Sequence, residues 1–147
     1  MKDKISAASL LVNVPEFSKQ AAGLIPKSHL HRLGLHFNLT EGTPVMPDNF
    51  SLVDRDGNFL GKSGFWSKHL SLDQVEVKRE LLAQIELFTT LTGVRPAYID
   101  GHQHVQCSRN VLPVLVEVMK NFNIPRLRVP LEPNWSATDW IQYMGLS

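Results

Sequence analysis

The stretch from residue 98 to residue 105, YIDGHQHV, places an acid and two histidines at the end of a strand-like segment. Its first two residues are good strand formers, and Gly101 permits an unusual backbone angle or a close approach. If the chain stays extended, the two-residue alternation puts Asp100, His102 and His104 on one side. Because α/β folds collect such groups at the C-terminal ends of parallel strands, the pattern predicts a metal site or a proton-transfer site. The alternative is a chance histidine pair on the surface.

A second apolar run, residues 33–39, carries a single histidine, His36, and ends in polar residues and glycine. A lone histidine in a strand is more often a core residue that has found a hydrogen bond. Two strands that both deliver histidine favour a shared site. His29 and His31 lie in a predicted loop before this strand, and we expect both on the surface.

Composition bounds the class of protein. The 147 residues are 43% hydrophobic and 20% charged with a net charge of +1, which suits one globular domain and gives no electrostatic case for binding nucleic acid or a membrane. No apolar run reaches the ~18 residues of a membrane span, and no secretory signal is evident. We therefore expect a cytoplasmic location. Cys107 is the only cysteine and is expected to be a small hydrophobic residue.

Strand and helix patterns alternate along the chain. Strands are predicted at residues 5–12, 33–39, around Asp100, and at 124–129. The first helix is predicted to start at Pro15. The second is predicted to run from an N-cap at Ser71 to a C-cap at Gly93, and the third to start from an N-cap at Ser108. A last helix is predicted to begin within residues 131–147. This order predicts a parallel α/β sheet.

The long stretch from residue 45 to residue 71 is predicted to be mostly irregular, apart from a small hairpin at Asp56-Gly57. Such a loop is often functional. Phe59, Phe65 and Trp66 either line a substrate groove or pin the loop to the body.

The helix that starts at Pro15 is predicted from an apolar stripe at helical spacing, which Pro26 closes. The stripe comprises Phe17, Ala21, Ala22, Leu24 and Ile25.

Two motifs together resemble the YdjC-like carbohydrate deacetylases: residues 34–42, GLHFNLTEG, and residues 100–105, DGHQHV. Further matches are residues 9–13 (SLLVN), 59–62 (FLGK) and 128–130 (RVP), in the family's order. The resemblance implies a metal-dependent hydrolase that removes acetyl groups from N-acetylated sugars. It also implies an irregular TIM-like (β/α) barrel with parallel strands.

The resemblance implies roles by position. His36 and His102 match the family's two metal-binding histidines, and His104 matches the second histidine of its D-x-H-x-H stretch, beside the ligands or facing substrate. Asp100 is expected to orient a ligating imidazole. Arg128 is expected either to contact substrate or to pair with a nearby acid. The family is associated with Mg²⁺, while imidazole ligands suit Zn²⁺ or another divalent transition metal.

The chain also departs from the family pattern. It lacks the N-terminal strand ending in Asp-Asp-Phe-Gly, whose aspartates resemble the general base and the third metal ligand. The family also continues past Ser147. The expectation is a single partial domain over residues 1–147, an incomplete barrel whose open edges invite aggregation or a homo-oligomer. No catalytic base is assigned, and weak or absent activity is expected.

Three other functions remain open. The chain could be a catalytically inactive carbohydrate-binding or regulatory fragment, which would bind sugar without responding to chelators. It could be a different metal-dependent amidohydrolase, with metal at His36 and His102 but no action on acetylated sugars. It could also be a fragment that does not fold alone.

Overall fold

The computed structural model describes residues 6–130 and consists of a parallel sheet covered by helices. The strands are β1 (Ala8–Leu10), β2 (Leu33–Phe37) and β3 (Ile99–Gly101), hydrogen-bonded in the order β1-β2-β3. The α-helices are α1 (Pro15–Leu24), α2 (Gly61–Lys68), α3 (Gln74–Thr92) and α4 (Leu112–Phe122). Two 3₁₀ segments span Lys27–Arg32 and His102–Cys107. The predicted parallel α/β arrangement is confirmed.

The sheet has one apolar face and one polar face. In β2, Leu33, Leu35 and Phe37 alternate with Gly34 and His36, and the three apolar side chains are buried in the core. The core continues into helices α3 and α4 through Leu81, Phe88 and Leu115, among others. The other face carries the short or polar side chains, because successive residues of a strand point to opposite sides.

Several predicted boundaries hold. Gly93 ends α3 with φ 75°, the left-handed conformation that glycine adopts without cost. The hairpin at Asp56-Gly57 forms through an antiparallel bridge between Val53 and Phe59. Phe59 and Phe65 are buried in the core cluster, against which Trp66 also packs, so these aromatics anchor the segment to the body.

Other predictions were wrong at the element ends. The N-cap of α3 is Asp73, whose carboxylate accepts from the Val75 N–H at 2.7 Å, and Ser71 lies outside the helix. Helix α4 begins at Leu112, four residues after Ser108, whose side chain accepts from the Asn110 N–H instead. Both serines have side chains that are well suited to capping a helix, but here these side chains form hydrogen bonds within turns instead.

The segment 45–71 is not all irregular, because α2 occupies its end. Two of the eight residues of α2 are glycine, so helix propensity predicts little there, and the buried Phe65 supplies the packing that short helices need. The predicted strand at 124–129 is reduced to a single parallel bridge between Ile99 and Leu127. Ile5 and the helix expected within 131–147 lie outside the described residues.

The apolar stripe of α1 packs against the core only in part, through Ala21, Ala22 and Ile25. Phe17 and Leu24 are 70% and 84% exposed, whereas Ser18 is buried. The Ser18 hydroxyl lies 2.7 Å from both the Leu11 and Val14 carbonyl oxygens, so a polar residue occupies the inner face at no hydrogen-bonding cost.

Within residues 6–130, no helix is both long enough and apolar enough to serve as a membrane span.

Candidate functional site

The site begins where β2 and β3 lie side by side near their C-terminal ends. His36 and Asp100 are register partners across the parallel pair, so their side chains leave the sheet together on its polar face. His36 Nδ1 lies 2.5 Å from Asp100 Oδ1. The carboxylate therefore holds the Nδ1 proton of the imidazole and leaves the Nε2 lone pair available. The contact has the geometry that the orienting role expected for Asp100 requires, and the role itself stays a prediction.

Strand β1 contributes Ser9, a residue that sequence reasoning missed. Its hydroxyl donates to Asp100 Oδ2 at 3.0 Å and lies 3.4 Å from His36 Nδ1. The only sequence signal was its place in the SLLVN run at the start of the chain. Ser9 thus fixes the second carboxylate oxygen and keeps the acid aimed at the imidazole.

The chain turns away from the strand directly after Gly101. Gln103 and His104 have φ of 51° and 63°, in the left-handed region, inside the 3₁₀ segment His102–Cys107. The predicted alternation of Asp100, His102 and His104 is therefore wrong beyond Gly101, because the backbone is no longer extended. A Cβ on Gly101 would lie 1.9 Å from Gln106 Oε1, so this turn requires the close approach that glycine allows.

The turn brings His102 back over the strand ends. His102 Nδ1 lies 3.1 Å from His36 Nε2, and the ring centroids are 5.1 Å apart in an edge-on arrangement. Both side chains are partly buried: the His102 side chain is 22% exposed and the His36 side chain 27% exposed. The two histidines singled out in the sequence do converge, through a turn rather than through strand alternation.

Glu41 completes the side of the site opposite Asp100. Its Oε2 lies 3.3 Å from His102 Nε2, and its Oε1 accepts from Gln103 Nε2 at 2.6 Å. The Nε2 atom is buried and makes no aligned hydrogen bond, and the Glu41 carboxylate is the polar group beside it, at a distance slightly beyond good hydrogen-bond geometry. Glu41 was missed, although it follows the His36 strand in the same motif.

The remaining predicted site residues lie further out. The Arg128 side chain is 67% exposed, and its Nη1 lies 3.6 Å from Asp100 Oδ2, within ion-pair distance; whether Arg128 also contacts substrate stays a prediction. His104 is exposed on the left-handed turn, and its role stays a prediction. His31 is exposed and His29 half-buried, away from the paired imidazoles.

Electrostatics favour an ionised Asp100. Burial alone would raise its pKa, but the hydrogen bond and charge of His36, together with Ser9 and Arg128, lower the pKa below its ordinary value. Burial and the Asp100 charge raise the pKa of the neighbouring Tyr98 phenol. A fixed negative charge behind His36 makes its outward nitrogen a better donor to a cation.

The donor set fits a cation that prefers nitrogen. Two imidazole nitrogens bound to one ion at about 2.0–2.1 Å lie roughly 3.0–3.4 Å apart, and the His36 Nε2 to His102 Nδ1 distance is 3.1 Å. Among residues 6–130, however, no group of three or more His, Cys, Asp and Glu side chains is arranged to hold a metal ion. The described residues offer two candidate ligands, His36 and His102, with Asp100 beside the first and Glu41 beside the second.

A cavity adjoins the site on the polar face of the sheet. It is open to solvent, has a volume of about 500 Å³ and is lined by Ser9, Tyr98, Asp100, Arg126 and Arg128, with Ala7, Ala8 and Leu127. Its hydroxyl, carboxylate and guanidinium groups are the kinds of donors and acceptors that contact polar ligands such as sugars.

The chain matches one protein family and several curated proteins. Residues 2–145 match the family model described as YdjC-like protein. The chain is similar to carbohydrate deacetylases from Danio rerio (43% identity over 88% of this chain and 42% of the relative), Homo sapiens (35%, over 94% and 44%) and Brevibacillus brevis (34%, over 82% and 47%). It thus spans less than half the length of these curated relatives.

A solved structure shares the fold. A proposed cellobiose-phosphate cleavage protein from Enterococcus faecalis superposes with a TM-score of 0.73 at 27% identity, over 97% of this chain and 53% of the other.

Proposed function

Because this chain belongs to the YdjC-like family, we propose that it supplies the histidine ligands of a metal-dependent carbohydrate deacetylase site. The observation that carries the proposal is the facing pair His36 and His102, with nitrogens 3.1 Å apart at the strand ends. The proposed substrate is an N-acetylated sugar, and the proposed fold of the whole protein is an irregular TIM-like barrel to which this parallel sheet contributes.

The chain's own residues divide the work between holding an ion and holding a substrate. Asp100 and Ser9 fix the His36 ring, and His36 Nε2 and His102 Nδ1 face the space between the two rings. A divalent cation bound there would polarise an acetamide carbonyl and make a water molecule more acidic. Arg126, Arg128 and Tyr98 line the cavity in which polar groups of a sugar would be bound.

Donor chemistry supports a preference for one kind of ion. Imidazole nitrogen suits Zn²⁺ and similar transition metals, whereas Mg²⁺ prefers oxygen ligands and retains several waters. We therefore expect Zn²⁺ to bind this pair more tightly than Mg²⁺, even though the family resemblance puts Mg²⁺ first.

A second candidate function is an inactive carbohydrate-binding protein. It is favoured by the ligand count, since the described part of the chain offers two imidazoles and no third group arranged around the same point. A different metal-dependent amidohydrolase is the remaining alternative. The oligomeric state stays a prediction in all three cases.

The distinguishing experiment is an acetate-release assay on N-acetylglucosamine oligomers, with and without a chelator. The deacetylase proposal predicts slow release that EDTA abolishes, that is lost in His36→Ala, and that is retained in the exposed control His31→Ala. Sugar binding without acetate release, insensitive to EDTA, would support the inactive binding protein. Metal-dependent hydrolysis of other amides only would support the other amidohydrolase.

A further inference from the structure

Three of the four ring nitrogens of His36 and His102 already have neighbours: His36 Nδ1 faces Asp100, and His36 Nε2 and His102 Nδ1 face each other. The fourth, His102 Nε2, lies beside the carboxylate of Glu41. We propose that Glu41 is a positioning residue that keeps a proton on His102 Nε2 and so presents the Nδ1 lone pair to the position shared with His36. The inference rests on the proposed metal site, and it assigns a role to a residue that the motif analysis did not single out.

The backbone of Glu41 is held by hydrogen bonds to two asparagine side chains. Asn38 Oδ1 accepts from the Glu41 N–H at 3.1 Å, and Asn38 Nδ2 donates to the Glu41 carbonyl at 2.7 Å. Asn13 Nδ2 donates to the same carbonyl at 3.1 Å. Both asparagines are buried, and Asn38 Nδ2 also donates to Asn13 Oδ1 at 2.9 Å. This network fixes where the Glu41 side chain leaves the loop.

The carboxylate itself is aimed by Gln103. The Gln103 amide donates to Glu41 Oε1 at 2.6 Å, which leaves Oε2 on the side of His102. Gln103 adopts the left-handed conformation, with φ 51°, which costs free energy for a residue with a side chain. The strained turn therefore serves to place both His102 and the amide that directs Glu41.

His102 Nε2 needs a hydrogen-bond partner, and the carboxylate beside it can only accept. The nitrogen is buried without an aligned hydrogen bond, and Glu41 Oε2 at 3.3 Å is the acceptor beside it. A proton on Nε2 satisfies that nitrogen and, in the neutral ring, leaves Nδ1 as a lone pair. Without Glu41, the favourable arrangement is the reverse, with Nδ1–H donating to His36 Nε2 at 3.1 Å.

The two acids thus act as a matched pair on two rings. Asp100 holds the Nδ1 proton of His36, Glu41 holds the Nε2 proton of His102, and the two free lone pairs face each other. Facing lone pairs repel unless a positive charge lies between them. The two carboxylates, one on each ring, therefore bias this point of the structure towards binding a cation and against an internal histidine–histidine hydrogen bond.

The test is long-range ¹H–¹⁵N NMR of the histidine rings at about pH 8, where an ordinary imidazole is neutral. The parent chain is expected to carry a proton on His102 Nε2. Glu41→Ala is expected to move that proton to Nδ1, and Glu41→Gln, which keeps an acceptor oxygen, is expected to retain part of the parent pattern. Glu86→Gln, an exposed carboxylate change on α3, is the control and should leave the His102 signals unchanged.

Adding Zn²⁺ alone to the same samples separates this inference from the proposed function. Loss of an orienting partner of this kind costs about 10–100-fold in metal affinity, so Glu41→Ala should bind Zn²⁺ that much more weakly. If Zn²⁺ binds nowhere but the proton still moves in Glu41→Ala, the metal proposal fails and the positioning role stands. If His102 carries its proton on Nδ1 in the parent, or keeps it on Nε2 in the folded Glu41→Ala variant, the positioning role is overturned.

Discussion

At the scale of single residues, Gly101 decides whether the site can form. A Cβ there would meet not only the Gln106 side chain but also the Gln106 backbone nitrogen at 2.9 Å, which cannot rotate away. The φ of Gly101 is −106°, so the requirement is for space and not for an unusual dihedral angle. The glycine between Asp100 and His102 is what allows the chain to fold back on itself.

Gly101→Ala is expected to lower the free energy of unfolding by about 1–3 kcal/mol, as overpacking at a tight contact does. The matched control is Gly23→Ala in α1, where a Cβ meets nothing within 4 Å and the helix should gain about 0.5–1 kcal/mol. Denaturant midpoints measure both. Equal effects of the two substitutions would contradict the close approach at Gly101.

Cys107 offers a second test at this scale. Burial raises the pKa of its thiol to about 11, and the side chain is 6% exposed. Because the thiolate is the reactive form, alkylation by iodoacetamide at about pH 8 should be slow in the folded chain and fast after unfolding. Rapid modification of the folded protein would show that Cys107 is exposed or activated, against its predicted role as a small hydrophobic residue.

At the scale of elements, α3 does more than cover the sheet. Its buried Glu80 accepts from the Val45 and Met46 N–H groups at 2.9 Å each and from Asn49 at 3.1 Å, and Gln84 donates to it at 2.8 Å. Gln84 also bonds both backbone groups of Asn38. The helix thereby holds the loop that follows His36 and carries Glu41.

The pH dependence of stability should reveal Glu80. Burial raises its pKa despite its hydrogen bonds, so the folded state takes up a proton more readily than the unfolded state. The resulting stabilisation is full below the unfolded pKa of about 4.3 and is lost as pH rises through the raised folded value.

The difference in unfolding free energy between the parent and Glu80→Gln should therefore fall as pH rises from acid towards neutral. Denaturant titrations across that range measure it, with Glu86→Gln on the exposed face of the same helix as control. A difference that stays constant or grows with pH would contradict the raised pKa.

Helices and strands could be predicted from the sequence where the spacing of apolar residues was regular. The side-chain contacts between these elements could not. The helix that ends at Gly93 was predictable from the sequence, because helical spacing and left-handed caps leave local signals. Glu80 and Gln84 gave no such signal, because charged and polar residues are expected on the solvent-facing side of a helix. Their burial depends on hydrogen bonds to a loop 35 to 46 residues earlier in the chain, which helical spacing does not reveal. The same holds for Ser18 on the inner face of α1.

At the scale of the whole molecule, the polar face of the sheet gathers the chemistry. Ser9, His36 and Asp100 come from three parallel strands, and Arg128 follows the bridge at Leu127. The sequence predicted that His36 and His102 share a site, because parallel strand ends meet at one edge. It did not predict how His102 reaches His36. The predicted alternation of side chains requires an extended backbone, but the backbone turns here through two left-handed residues, Gln103 and His104.

The central claim is that His36 and His102 bind one cation together, and calorimetric titration with Zn²⁺ and then Mg²⁺ tests it most directly. The account predicts one Zn²⁺ per chain, weaker Mg²⁺ binding, loss of Zn²⁺ binding in both His36→Ala and His102→Ala, and normal binding in His31→Ala. A thermal melt on each sample checks that it is folded. A folded parent that binds no Zn²⁺, or that keeps its affinity in either histidine variant, would contradict the claim.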